Sequence, residues 1–166
     1  MAKVLILLGS DSDLPATQTG VETLKSMGVS FSLRIASAHR TPDVVHEVVQ
    51  QFDRDGGQVI ICVAGKSAHL AGVVAALTLK PVLAVPIASE ATAGFDALLS
   101  MGQMPGGIPV STMPFGKGGF HNAALTAVQI LALNDARLAD RLKADREAMS
   151  AKVREADKKS RIDFHG

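Results

Sequence analysis

The chain has 166 residues, of which 47% are hydrophobic and only 4% aromatic, with neither Trp nor Tyr; 17 Lys and Arg oppose 16 Asp and Glu for a net charge of +1. That size and apolar content describe one compact domain with a sizeable core and exclude a disordered chain. The near-neutral charge and the lack of aromatic stacking platforms argue against nucleic acid or an acidic membrane surface as partner.

In chain order, short β-rich runs alternate with amphipathic stretches. "KVLILLG" (3–9) is an apolar strand, continuous enough to be buried on both faces, and its apolar run is too short for a signal peptide or a membrane span. "DLPATQTGVETLKSMG" (13–28) predicts a helix with Leu14, Val21, Leu24 and Met27 on one face and Gly28 ending it. "VSFSLRIAS" (29–37) alternates as a strand. "TPDVVHEVVQQFDRDG" (41–56) predicts a helix with Thr41 as N-cap and Pro42 in the first turn. "QVIICVAG" (58–65) is a third strand, "SAHLAGVVAALT" (67–78) a helix and "KPVLAVPI" (80–87) a fourth strand. From Ala88 to Pro114 the chain predicts a structured loop around a short helix, "AGFDALLSMGQ", and a short fifth strand, "IPVST". "GKGGFHNAALTAVQILAL" (116–133) is an Ala-rich helix. The stretch 134–161 predicts a long, mostly polar surface helix with Leu138, Leu142 and Met149 on one side. Strands alternating with helices predict a parallel sheet covered on both faces, with ligands bound beyond the carboxyl ends of the strands. The simplest expectation is a cytoplasmic protein.

Three loops at such strand ends carry chemistry. In "GSDSD" (9–13), Ser10 and Ser12 offer hydroxyls and the amides opening a helix favour an anion, while Asp13 reads equally as a helix cap. The spacing fits neither a dinucleotide fingerprint nor a P-loop. In "SAHRTPD" (37–43), His39 brings an imidazole, a group that titrates near neutral pH, and Arg40 a fork for phosphate; a solvated surface pair is the alternative. In "AGKSAHLAG" (64–72), His69 follows a Gly-led turn at a helix start. Three such loops on adjacent strands would converge on one crevice. The five histidines show no HxxxH or HExxH spacing and the chain has no GxSxG elbow, which argues against a protein-bound catalytic metal and a serine nucleophile. The lone Cys62, inside "VIICVA", reads as a small core hydrophobe. Proton transfer on an anionic small molecule is the chemistry that remains.

The blocks "GSDSD", "SAHRTP", "AHLAG", "PVLAVP", "DALLSMGQMPGGIPV" and "NAALTAVQILA", in this order, resemble the class I N5-carboxyaminoimidazole ribonucleotide mutases of the PurE family, over nearly the whole chain to about residue 135. The resemblance implies a flavodoxin-like three-layer α/β/α sandwich, residues 1–166 as one catalytic domain, and a homo-octamer in which the C-terminal helix (about 134–160) packs on a neighbouring subunit. It implies movement of a carboxylate from the exocyclic nitrogen of N5-carboxyaminoimidazole ribonucleotide to ring carbon 4, with no metal, nucleotide or biotin cofactor.

By the same resemblance His39 is the acid/base, Arg40 the phosphate clamp, and Ser10 and Asp13 the polar loop that holds ribose and phosphate, supported by Ser12. Ser37 and Ala38 would present hydroxyl and backbone groups to the ligand; Gly65, Ser67, His69 and Leu70 would line the imidazole and carboxylate side. The loop around "QMPGG" would cover the site. "GKS" at 65–67 resembles the "GRS" of class II aminoimidazole ribonucleotide carboxylases, which use carbon dioxide directly, and direct carboxylation is the alternative. "AHL" and "QMPGGIPV" read as class I. A non-catalytic nucleotide-binding module of the same fold would be expected to lack His39.

Overall fold

The structure is a computed structural model and describes residues 1–162. Five parallel strands, β1 (Val4–Leu8), β2 (Phe31–Ile35), β3 (Val59–Gly65), β4 (Val82–Ile87) and β5 (Ser111–Thr112), lie side by side in the order β2-β1-β3-β4-β5. The chain therefore reverses direction across the sheet between β1 and β3, whose register pairs Val4 with Val59 and Leu8 with Val63. That reversal opens a crevice at the carboxyl ends of β1 and β3.

Alternation along the strands explains the two cores. Val4, Ile6 and Leu8 of β1, with Val59, Ile61 and Val63 of β3, face the helices α1 (Gln18–Ser26) and α5 (Gly116–Ala132), where Phe120, Ala124 and Val128 complete one cluster. Leu5 and Leu7, with Ile60 and Cys62, face α2 (Pro42–Arg54), α3 (Leu70–Ala75) and α4 (Phe95–Gly102) on the other side. The result is the expected three-layer α/β/α sandwich, with central strands buried on both faces as their unbroken apolar runs require. Burial pushes the Cys62 thiol well above its usual range, which leaves it inert.

Several local expectations are corrected. Residues Asp11–Thr17 form a 3-10 turn rather than the start of α1, and its tighter winding rotates Leu14 out of the core stripe, to 41% exposure. Ser10, not Asp13, caps this turn, its hydroxyl accepting from the Ser12 amide. Thr41 stands at the N-cap of α2 but makes no side-chain cap bond; its hydroxyl bonds back to the Ser37 amide and carbonyl. The helix after β3 has six residues instead of twelve, and β5 has two instead of five. α6 (Ala136–Ser160) is the long polar helix expected, without a buried residue; Leu138 and Leu142 lean on the α5 side of the core and Arg141 donates to the Met27 carbonyl. Among the described residues no helix is long and apolar enough to cross a membrane. His165 lies outside the described residues.

Candidate active site

The loops after β1, β2, β3 and β4 and the first turn of α4 surround one crevice of about 1270 Å³, room enough for a nucleotide-sized ligand. Ser10, Ser12, Asp13, Ser37, Ala38, His39, Arg40, Gly65, Ser67, His69 and Leu70 all border it. A smaller hollow of about 600 Å³ between α5 and α6 is lined by groups such as Leu133, Leu142 and Arg146 and holds no imidazole.

The segment after β2 closes on itself. The Thr41 amide donates to the Ser37 carbonyl at 2.9 Å, and the Ser37 hydroxyl accepts from the Arg40 amide at 3.3 Å and from Arg40 Nε at 3.4 Å. Arg40 Nη2 reaches the Gly9 carbonyl at 3.1 Å, which ties the loop after β2 to the end of β1. The Ser37 oxygen thus helps to aim Arg40 while its residue borders the crevice. Two of the five guanidinium N–H groups are used, and none of the ion pairs among the described residues engages Arg40. Three donors stay available for an anion.

The same turn carries His39 over β1 to the loop after β3, where its Nε2 lies 2.9 Å from Nδ1 of His69, the rings meeting edge to face. Only one hydrogen fits between two nitrogens at that distance. If both rings are neutral, one donates and the other accepts; if His39 is fully protonated, His69 must accept at Nδ1 and keep its own proton on Nε2. His39 Nδ1 and His69 Nε2 are the ring nitrogens that this contact leaves open. His69 is placed by its amide, which donates to the Ser67 carbonyl at 2.8 Å, at the N-cap of α3. Leu70, by contrast, is 2% exposed and serves chiefly as core.

The loop after β1 is polar and internally bonded. Ser12 Oγ donates to Ser10 Oγ at 3.0 Å, and the Ser12 amide is already shared between Ser10 Oγ and Asp11 Oδ1. The Ser10 hydroxyl, then the Ser12 amide, hold the exposed Asp11 carboxyl below the usual range, with a smaller push from Arg40. Asp13 differs: it is 8% exposed, and burial raises its pKa against the opposing bonds from Ser10 and Ser12. Gly9 needs no left-handed backbone here; its part is the carbonyl that accepts from Arg40.

Sequence reasoning missed the far wall. Ile87, which ends β4, and Ala88, Ser89, Glu90 and Ala91 beyond it line the crevice, as does Asp96 at the start of α4. The strand-end rule that singled out the other loops applies equally to β4 and could have found the first five; nothing in the sequence pointed to Asp96. Its carboxyl is held below the usual range, chiefly by the Thr92 hydroxyl, with the Ala97 amide and the charge of Lys66 adding. Lys66, which also borders the crevice, has φ 56°, in the left-handed region that costs a residue with a Cβ roughly 1–2 kcal/mol. The loop around "QMPGG" does not border the crevice of its own chain; Met104 lies instead against Gly72 of α3. Among the described residues no group of three His, Cys, Asp or Glu side chains could hold a metal.

Residues 3–152 match the family model described as AIR carboxylase. A curated N5-carboxyaminoimidazole ribonucleotide mutase of Methanocaldococcus jannaschii is 49% identical over 156 residues, covering 94% of this chain and 96% of the relative. The mutase of Escherichia coli K12 is 46% identical over 154 residues, covering 93% and 91%. Among solved structures, the crystal structure of Treponema denticola PurE superposes with a TM-score of 0.88 at 32% identity, covering 96% of this chain and 98% of that one.

Proposed function

The chain belongs to the AIR carboxylase family, and from that premise we infer that its crevice performs the N5-carboxyaminoimidazole ribonucleotide mutase reaction of purine biosynthesis with His39 as acid/base. The observation that carries the residue assignment is the 2.9 Å bridge between His39 and His69 in a crevice that Arg40, with free donors, also borders. Curated relatives of 42–49% identity are named as mutases, which favours the carboxylated donor over direct use of carbon dioxide.

The phosphate lies on Arg40 and the Ser10 and Ser12 hydroxyls, with the ribose toward Asp13. The imidazole then points to Gly65, Ser67 and His69. The bond between the exocyclic nitrogen and its carboxylate breaks, carbon dioxide leaves, and the nitrogen takes a proton from His39. Ring carbon 4 attacks the carbon dioxide held in the crevice, and the proton displaced from that carbon returns to His39. One proton is given and one recovered, so a single imidazole suffices, and the His69 bond holds that ring in place. Retaining the carbon dioxide requires a closed site, and the chain acts as a homo-octamer whose neighbours complete that enclosure.

The test is an ultraviolet assay with freshly made N5-carboxyaminoimidazole ribonucleotide, beside aminoimidazole ribonucleotide with bicarbonate. Conversion of the first alone is expected; efficient conversion of only the second would replace the mutase by the direct carboxylase. His39→Asn is expected to lose turnover by at least ~100-fold, the range of general acid/base catalysis, while binding the product nearly as wild type. Surviving activity in this variant would remove His39 from the proton path.

A further inference from the structure

The half of the crevice after β3 and β4 contains an unexplained charge pattern. Glu90 and Asp96 line it from the β4 side, and on the β3 side Lys66 stands between Gly65 and Ser67. The imidazole and its migrating carboxylate are directed to this half, since Arg40 and the Ser10 loop hold the phosphate at the other. An anionic carboxylate brought beside Glu90 and Asp96 meets two like charges. Lys66 is the fixed cation lining that half, and its backbone sits in a strained left-handed turn that points to a purpose for this residue at this place.

We propose that Lys66 is the specificity residue for the migrating carboxylate: its ammonium offsets the Glu90 and Asp96 charges and recognises the carboxylated ribonucleotides over the decarboxylated one. The proposal rests on the mutase reading above. When the carboxylate leaves as carbon dioxide, the charge that Lys66 holds disappears from the pocket and reappears when carbon 4 is carboxylated. Lys66 thus favours both carboxylated end states and leaves the neutral intermediate to the imidazole contacts alone. Lys66 makes no ion pair with Asp96 or Glu90 among the described residues, so its ammonium stays available to the ligand.

The experiment compares wild type, Lys66→Met and Lys66→Arg by the KM and kcat for the carboxylated substrate and the inhibition constant of aminoimidazole ribonucleotide, which lacks the carboxylate. Lys66→Met keeps a side chain of similar length without the charge. It is expected to raise KM for the carboxylated substrate about tenfold, the scale of one charged hydrogen bond, while leaving the inhibition constant of the decarboxylated nucleotide unchanged; Lys66→Arg should restore most of the difference. Equal weakening of both ligands, or no change in either, would overturn the proposal. A wild-type protein that does not convert the substrate would instead sink the mutase reading. Lys66→Gly, which relieves the left-handed strain, should melt at a higher temperature than wild type and show the same loss of discrimination, separating backbone strain from recognition; a Lys66→Gly variant that still prefers the carboxylated ligand would count against the lysine.

Discussion

The buried carboxylate of Asp13 ties ligand recognition to stability through a sign that can be worked out. Its pKa is raised above the ordinary 3.8 by burial, so the folded chain holds this proton more tightly than the unfolded one. Well below pH 3.8 both states are protonated and the group is neutral in the balance. As pH rises through the raised value, the unfolded chain releases the proton more easily, and from there upward Asp13 costs stability. Asp13→Asn cannot ionise. Its melting temperature relative to wild type should therefore rise between pH 4 and pH 7, read by scanning calorimetry across that window; a difference independent of pH would show that burial does not control this group. Turnover of the same variant is expected to fall, because it loses the ribose contact proposed for this carboxylate. Asp13 thus sits in the crevice against its own stability, as does the left-handed backbone of Lys66.

Between elements, the decisive contact is the approach of α1 to α5. A Cβ added at Gly20 would lie 2.0 Å from Phe120 Cδ1 and 2.7 Å from the Phe120 carbonyl oxygen, in a cluster where Phe120 is fully buried. Ala is the better helix former by about 0.8–1.0 kcal/mol, but overpacking a fixed wall costs ~1–3 kcal/mol. Gly20→Ala should consequently lower the urea midpoint without changing the slope of the transition; a raised midpoint would mean that α5 can step aside. That contact could not be read from the sequence, where Gly20 is one small residue on a predicted helix. What could be read were elements whose signal is local: the unbroken apolar runs of β1 and β3, and the strand ends that carry His39, Arg40 and His69. Where competing constraints decide, sequence reading went astray. "DSDLP" favours side-chain bonds from Ser10 and Asp11 and contains Pro15, so it winds as a 3-10 turn and displaces Leu14. Pro109 cannot donate to a sheet ladder, and only Ser111 and Thr112 pair with β4. Asp96 reaches the site through the docking of α4, a tertiary event with no local mark.

For the whole molecule, the outer half of α6 is the feature that asks for a partner. Leu138 and Leu142 pack against the α5 side, but the same side of the helix continues to Met149, 46% exposed, and Val153, 69% exposed. A surface helix normally turns such residues inward, and a second copy of the chain is the occupant that the proposed octamer supplies. Light scattering should give eight times the mass of one chain, and a monomer would overturn the assembly. Met149→Asp with Val153→Asp is expected to yield a smaller species with an unchanged circular dichroism spectrum, since neither residue supports the core of its own chain. An unchanged mass would show that this stripe lies outside the contact.

The bridge from His39 to His69 also sets a timetable. A growing chain that has emerged only through α2 already carries His39 and Arg40, yet it has neither β3 nor the second imidazole, and Val4 still lacks Val59 as its neighbour. The ring pair comes into being when β3 docks beside β1, and the crevice is complete once β4 and α4 have followed. A ribonucleotide that binds only the finished crevice draws the equilibrium toward that docked state by mass action. Substrate supply would then help decide how many newly made chains survive proteolysis, so the cell's demand for the reaction would be written into the lifetime of its catalyst.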